Sequence, residues 1–109
     1  MVTVCMLRQG GELVGFEANG HAGFSQGDGD IVCSAVSALT QTIALGLTDR
    51  LSLPVGLSIE DGRMYCILGR DCTPEQCEKA QVLLDTLLLG LQSMEAAYGE
   101  YLSITEREV

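Results

Sequence analysis

Basic residues are scarce in this chain: six lysines and arginines stand against 15 aspartates and glutamates, a formal charge of −9. A field of that sign repels phosphate backbones, which argues against direct nucleic-acid binding. It suits a cationic peptide as partner, beside the plainer role of keeping a small domain in solution. No stretch approaches the roughly 20 apolar residues that cross a bilayer. The richest run, Val82 to Leu91, is interrupted by Asp85, so the expectation is a soluble protein without membrane contact. The N-terminus, MVTVCMLRQGGE, lacks the basic-then-apolar profile of a secretory signal. Five cysteines are an odd number, and reduced thiols in a cytoplasm are expected rather than a disulfide framework. No repeat, linker or second domain is expected from the chain's pattern. The 109 residues, 47% of them hydrophobic, read as one domain, residues 1–109, with its own core.

What is present reads as ββαββα. Val2 to Arg8 is β-branched and apolar on both faces, Gly10-Gly11 marks a turn, and Leu13 to Asn19 forms a second strand with Val14, Phe16 and Ala18 on one face. Gly20 to Gly29 holds four glycines and no periodicity, a loop longer than a tight connection needs. From Asp30 the period becomes helical: Val32, Val36, Leu39, Ile43 and Leu47 make one stripe, Asp30 suits the N-cap, and the helix ends near Thr48 to Arg50. Val55 to Ile59 and Met64 to Leu68 flank a Glu60-Asp61-Gly62-Arg63 hairpin turn. Thr73-Pro74-Glu75-Gln76 is a capping box with proline at the first helical position. Leu84, Leu87, Leu88, Leu91, Met94, Tyr98 and Tyr101 continue it as a long apolar stripe, while Leu83 and Leu89 lie off that stripe and suggest a second face buried against another subunit. Ser103 to Val109 is polar and predicted to fray. The expected fold is α+β, an antiparallel four-stranded sheet with two helices on one face.

The chemistry concentrates between residues 20 and 39. With Asp30 as N-cap, Cys33 falls at the third helical position, where unpaired N–H groups and the positive dipole end favour a thiolate. The same donors suit the oxyanion of a tetrahedral intermediate. His21, the single histidine, closes a strand after Gly20 and stands twelve residues before Cys33. A thiol and an imidazole so placed make a nucleophile and its general base. Each also has a bland reading: free cysteine usually packs as a small apolar residue, and a lone histidine often sits at a surface without a role. Asp30 can orient the imidazole or simply cap the helix, and the cap already accounts for its position. Ser37, one turn beyond Cys33, can bond within the site or back to a helix carbonyl. The loop residues Gly23, Phe24, Gly27, Asp28 and Gly29 suit a lid over a bound basic peptide, or an ordinary surface loop.

Metal binding is the rival use of such residues. Cys66, Cys72 and Cys77 are spaced by six and five, unlike short-spaced zinc pairs, and nothing demands a site from His21, Cys33 and Asp28. No metal or cofactor is expected. Cys5 and Cys66 fall in strand interiors and read as core residues, whereas Cys72 and Cys77 flank the start of the second helix.

GHAGF (Gly20 to Phe24) followed by DIVCSAVSAL (Asp30 to Leu39) resembles the ribosomal-processing cysteine proteases of the Prp family, also called YsxB-like. The element order and length agree along the whole chain, although the distinctive residues lie between Gly20 and Leu39. The resemblance implies a cysteine endopeptidase that removes a short N-terminal extension from a large-subunit bacterial ribosomal protein. It further implies a His21–Cys33 catalytic dyad supported by Gly20, Asp30 and Ser37, a homodimer, a loop over the site and a basic protein target. Two other classes stay open on the residues alone: a non-catalytic dimeric ribosome-assembly or scaffold protein, and a thiol redox or metal-binding protein.

Overall fold

Alternating apolar side chains build the two central strands. In the computed structural model, which describes residues 1–20, 28–60 and 62–109, β1 (Val2–Gln9) pairs antiparallel with β2 (Glu12–Asn19) across Gly10-Gly11. The register shifts where Leu7 faces Gly15 and Arg8 faces Leu13, so Val14 is the extra residue of a bulge. The bulge turns Leu13 inward beside Phe16 and Ala18 and leaves Val14 outside the core, contrary to simple alternation. Gly15 is obligatory there: a Cβ would stand 2.1 Å from the Cys66 carbonyl oxygen.

The second hairpin joins β3 (Val55–Glu60) to β4 (Arg63–Leu68), and β4 pairs antiparallel with β2. The predicted four-stranded antiparallel sheet is corrected by the C-terminus. Residues expected to fray form β5 (Leu102–Glu108), parallel to β1. The sheet is therefore five-stranded and mixed, in the order β3-β4-β2-β1-β5. The tail is polar because an outer strand needs few buried side chains, and β5 commits mainly Leu102, 1% exposed, and the half-buried Ile104 to the core.

Both helices pack on one face of the sheet. α1 (Asp28–Leu45) runs on into a π-helical turn, Gly46–Arg50, and buries Val32, Val36, Ala44 and Leu47 against Val4, Met6, Phe16 and Met64. α2 (Pro74–Tyr98) buries Ala80, Leu84, Leu87, Leu88 and Leu91 in the same cluster. Its predicted capping box is present: Gln76 N–H donates to Thr73 Oγ1 at 3.2 Å, and Thr73 N–H donates to Gln76 Oε1 at 3.0 Å. Tyr101 lies beyond the helix, in the turn before β5. Ile31–Arg50 is long and apolar enough, by length and composition alone, to cross a bilayer, which the reading of short apolar runs overlooked. In this fold it buries Val32, Val36, Ala44 and Leu47 and exposes Ser34, Ser37, Gln41 and Thr42 together with Ile31 and Leu45.

Two expectations about side chains need correction. Leu83, assigned to a second face, packs against the core beside Gly46, where a Cβ would stand 3.0 Å from Leu83 Cδ1. Leu89 is 67% exposed, with Val82 exposed as well. Cys72 and Cys77, expected as reduced thiols, form a disulfide with Cα atoms 5.8 Å apart, joining the β4–α2 connection to the first turns of α2.

Candidate active site

Strand ends and a helix start meet at one end of the sheet. β1 begins there, β2 ends there, and the β3–β4 turn returns beside them, because Asn19 is paired with both Thr3 and Arg63. One step on, Gly20 N–H donates to the Gly62 carbonyl at 2.8 Å. Gly20 has φ +80°, and a Cβ at that position would lie 2.6 Å from the Met1 carbonyl oxygen, so a side chain is resisted by both conformation and space. α1 crosses this end of the sheet and leaves a cleft of about 300 Å³. Its helical wall is Cys33, Val36, Ser37, Thr40 and Gln41; its strand wall includes Val2, Ala18, Gly20, Ile59, Glu60, Gly62, Arg63 and Met64.

The structure thus brings together three residues singled out on the sequence: Gly20, Cys33 and Ser37 all line this cleft. Cys33 is a free, half-buried thiol, and Ser37 is exposed one turn further along α1. His21, Gly23, Phe24 and Gly27 lie outside the described residues. Asp28, Gly29 and Asp30 are the first three residues of α1, and their side chains lie outside the description too. The helix begins two residues before the predicted cap, so Asp30 is a helical residue and Cys33 is the sixth residue rather than the third. Helical geometry then gives the Cys33 N–H an acceptor in its own helix, the carbonyl of Gly29. The oxyanion role expected of that N–H is lost to it. A glycine–aspartate run has no apolar period, and so gave no sign of where the helix starts.

Sequence reasoning missed the strand wall. Ile59, Glu60, Arg63 and Met64 reach the cleft only because β4 pairs with β2, a long-range choice that local pattern does not specify. Thr40 was missed as well. It is 1% exposed, and its hydroxyl donates to the Val36 carbonyl at 2.8 Å, which settles a polar group in the cleft floor.

Charge is organised on the helix-free face. Glu17 accepts a hydrogen bond from Asn19 Nδ2 at 2.8 Å and pairs with Arg63 at 3.3 Å and Arg107 at 3.6 Å. Its carboxyl is held below the ordinary carboxylate range, first by the Asn19 bond and then by the two guanidiniums, against the opposing effect of burial. Arg63, at the cleft edge, is thereby tied down, whereas Glu60 stands exposed. The remaining thiols differ from Cys33 in setting. Cys66 is wholly buried, and desolvation pushes its thiol up to about 11. Cys5, expected in the core, is half-buried on the helix-free side, paired across from Glu17. Among the described residues, no three His, Cys, Asp or Glu side chains lie together as a metal would require.

A free cysteine on a helix that lines a cleft can serve as a thiol nucleophile. Over residues 1–103 the chain matches the cysteine protease Prp family, and it belongs to that family. It is 26% identical over 99 residues to the ribosomal processing cysteine protease Prp of Bacillus subtilis, 85% of each chain being covered. SMU.848 from Streptococcus mutans has the same fold, with a TM-score of 0.85 at 29% identity, over 100% of this chain and 96% of that one. The S. aureus protease Prp, solved with a substrate peptide, gives a TM-score of 0.84 at 23% identity, over 98% of this chain and all of the other.

Proposed function

We propose that this protein removes a short N-terminal extension from a large-subunit bacterial ribosomal protein, with Cys33 as nucleophile and His21 as its general base. One observation carries the assignment of the site: Cys33 lines the same cleft as Gly20, and His21 is the residue bonded to Gly20 in the chain. The imidazole takes the Cys33 proton, and the thiolate sulfur bonds to the scissile carbonyl carbon. The oxyanion falls to N–H groups of the first turn of α1, ahead of Cys33. His21 then gives its proton to the leaving amine, and water, deprotonated by the same imidazole, releases the acyl group from sulfur. Ser37 and Asp30 support the site, and residues from Gly23 to Gly29 cover the bound peptide. No cofactor takes part.

The net charge of −9 supports a basic peptide segment as the bound partner, without direct nucleic-acid or membrane binding. The exposed Val82 and Leu89 support a homodimer formed through the outer face of α2. The work belongs in the cytoplasm, where ribosomal proteins are made. Sequencing the mature N-terminus of the host ribosomal protein, with and without this gene, tests the substrate. Cys33→Ala is expected to abolish cleavage with folding intact, and His21→Ala to cost about 10²–10⁴-fold in rate. Processing at the parental rate by Cys33→Ala would refute the nucleophile.

A further inference from the structure

We propose that the free edge of β3 is the docking rail for the substrate: an extended segment flanking the cut bond adds to the sheet as a further strand beyond β3. The inference rests on the protease reading above and adds how the peptide is held. β3 is the outermost strand on its side of the sheet. Its outward groups follow from the ladder. Val55 faces Leu68, so Pro54 faces Gly69, and Gly69 N–H donates to the Pro54 carbonyl. Hydrogen-bonded pairs alternate in an antiparallel ladder, so 54, 56, 58 and 60 turn their main-chain groups toward β4. Val55, Leu57 and Ile59 turn theirs away from it, and an incoming strand meets a ready row of donors and acceptors.

The edge is unguarded. Natural outer strands carry charge or proline to prevent pairing. The opposite outer strand, β5, has Glu106, Arg107 and Glu108. β3 reads VGLSIE, with one charge at its very end. Leu57 is 45% exposed and Ile59 63% exposed, both on the helix side of the sheet, where alternate side chains of an added strand would rest. The rail is continuous with the chemistry, since Ile59 and Glu60 also line the Cys33 cleft. A peptide paired along β3 leaves the edge at Ile59 and delivers its next bond to the thiol. Exposed Glu60 at that exit matches a cationic chain.

The test uses the full-length protein and a synthetic peptide spanning the processing point of the host ribosomal protein. Each residue on one flank is methylated in turn on its backbone nitrogen. Losses in kcat/KM of about two- to tenfold are expected at every second residue and not between, the worth of one main-chain hydrogen bond each time. Leu57→Pro removes an outward N–H and leaves the pairs at 56 and 58, so it is expected to raise KM by a similar factor with kcat within about twofold. Cleavage with no alternating sensitivity would overturn the rail, as would a Leu57→Pro protein that passes from dimer to monomer, for the edge would then belong to a second copy. Should Leu57→Pro fail to fold, the methylation scan on the parental protein decides. Absence of any cleavage by the parental protein is a different result: it overturns the protease reading, and the rail with it.

Discussion

Leu102→Ala probes the strand that most changes the architecture. Leu102 is 1% exposed, belongs to the main core cluster and opens β5 opposite Val2 of β1, whose N–H donates to the Tyr101 carbonyl. Truncating a buried leucine costs about 2–5 kcal/mol, more where the surroundings cannot collapse into the space. An outer strand has freedom to settle inward, so the lower half of that range applies, about 2–3 kcal/mol. In a domain of this size each kcal/mol moves the melting point by about 4–8 °C, so a fall of roughly 10–20 °C is expected. The assay is thermal unfolding by circular dichroism on parent and variant at one protein concentration, with peptide cleavage measured at a temperature where both are folded. Cleavage is expected to persist, because no residue of β5 lines the cleft, although Val2, paired with Leu102, does. A melting point within about 2 °C of the parent would refute the reasoning, and would mean that Leu102–Glu108 frays as its polarity suggests.

Glu17→Gln bears on acid stability. A carboxyl whose folded pKa is lowered stabilises the fold above its unfolded value, here 4.5, and that contribution is lost as the pH falls below it and through the folded value. The variant is expected to be less stable near neutrality and to lose less than the parent on acidification; parallel acid unfolding curves would contradict this. Alkylation of the native protein at pH 7.5 is expected to mark Cys33 and to spare Cys66, whose buried thiol stays protonated until unfolding, with mass mapping as the readout. Gly20→Ala places a Cβ against the Met1 carbonyl at positive φ and is expected to cost about 1–3 kcal/mol in urea unfolding. It is also expected to depress kcat, through the residue that follows it, and a variant with parental turnover would separate Gly20 from the site.

Features fixed by neighbours in sequence were legible, and features fixed by distant pairing were not. The Thr73–Gln76 box, the two hairpins and most of the α1 and α2 stripes depend on residues within a few positions of each other and stand where their pattern placed them; the exceptions are Val14, displaced by the bulge, Tyr98, which is exposed, and Tyr101, which lies beyond α2. β5 depends on β1 about a hundred residues away, and a strand with one covered edge shows little alternation to read. The Cys72–Cys77 pair escaped notice because spacing does not fix where two sulfurs meet. Within the site, Cys33, Ser37 and Gly20 could be found, since a thiol on a helix after a glycine-rich loop is a local motif. Ile59 and Glu60 could not, since only the β2–β4 pairing carries them there.

Polar clasps gather at the end of the sheet away from the cleft. At the far end of the sheet, Gln81 brackets Leu13 by accepting from its N–H and donating to its carbonyl, Glu108 accepts from Gly10 N–H, and Arg8 joins Glu106 to the Gly11 carbonyl. The disulfide and the capping box fasten the start of α2 at that same end. At the cleft end Gly20 N–H donates to the Gly62 carbonyl and Val2 N–H to the Tyr101 carbonyl. Local opening follows the distribution of such ties and of buried contacts, so among the described residues the clasped end is a costly one to open. The shared core of Phe16, Leu84 and Leu91 ties both ends into one packed body.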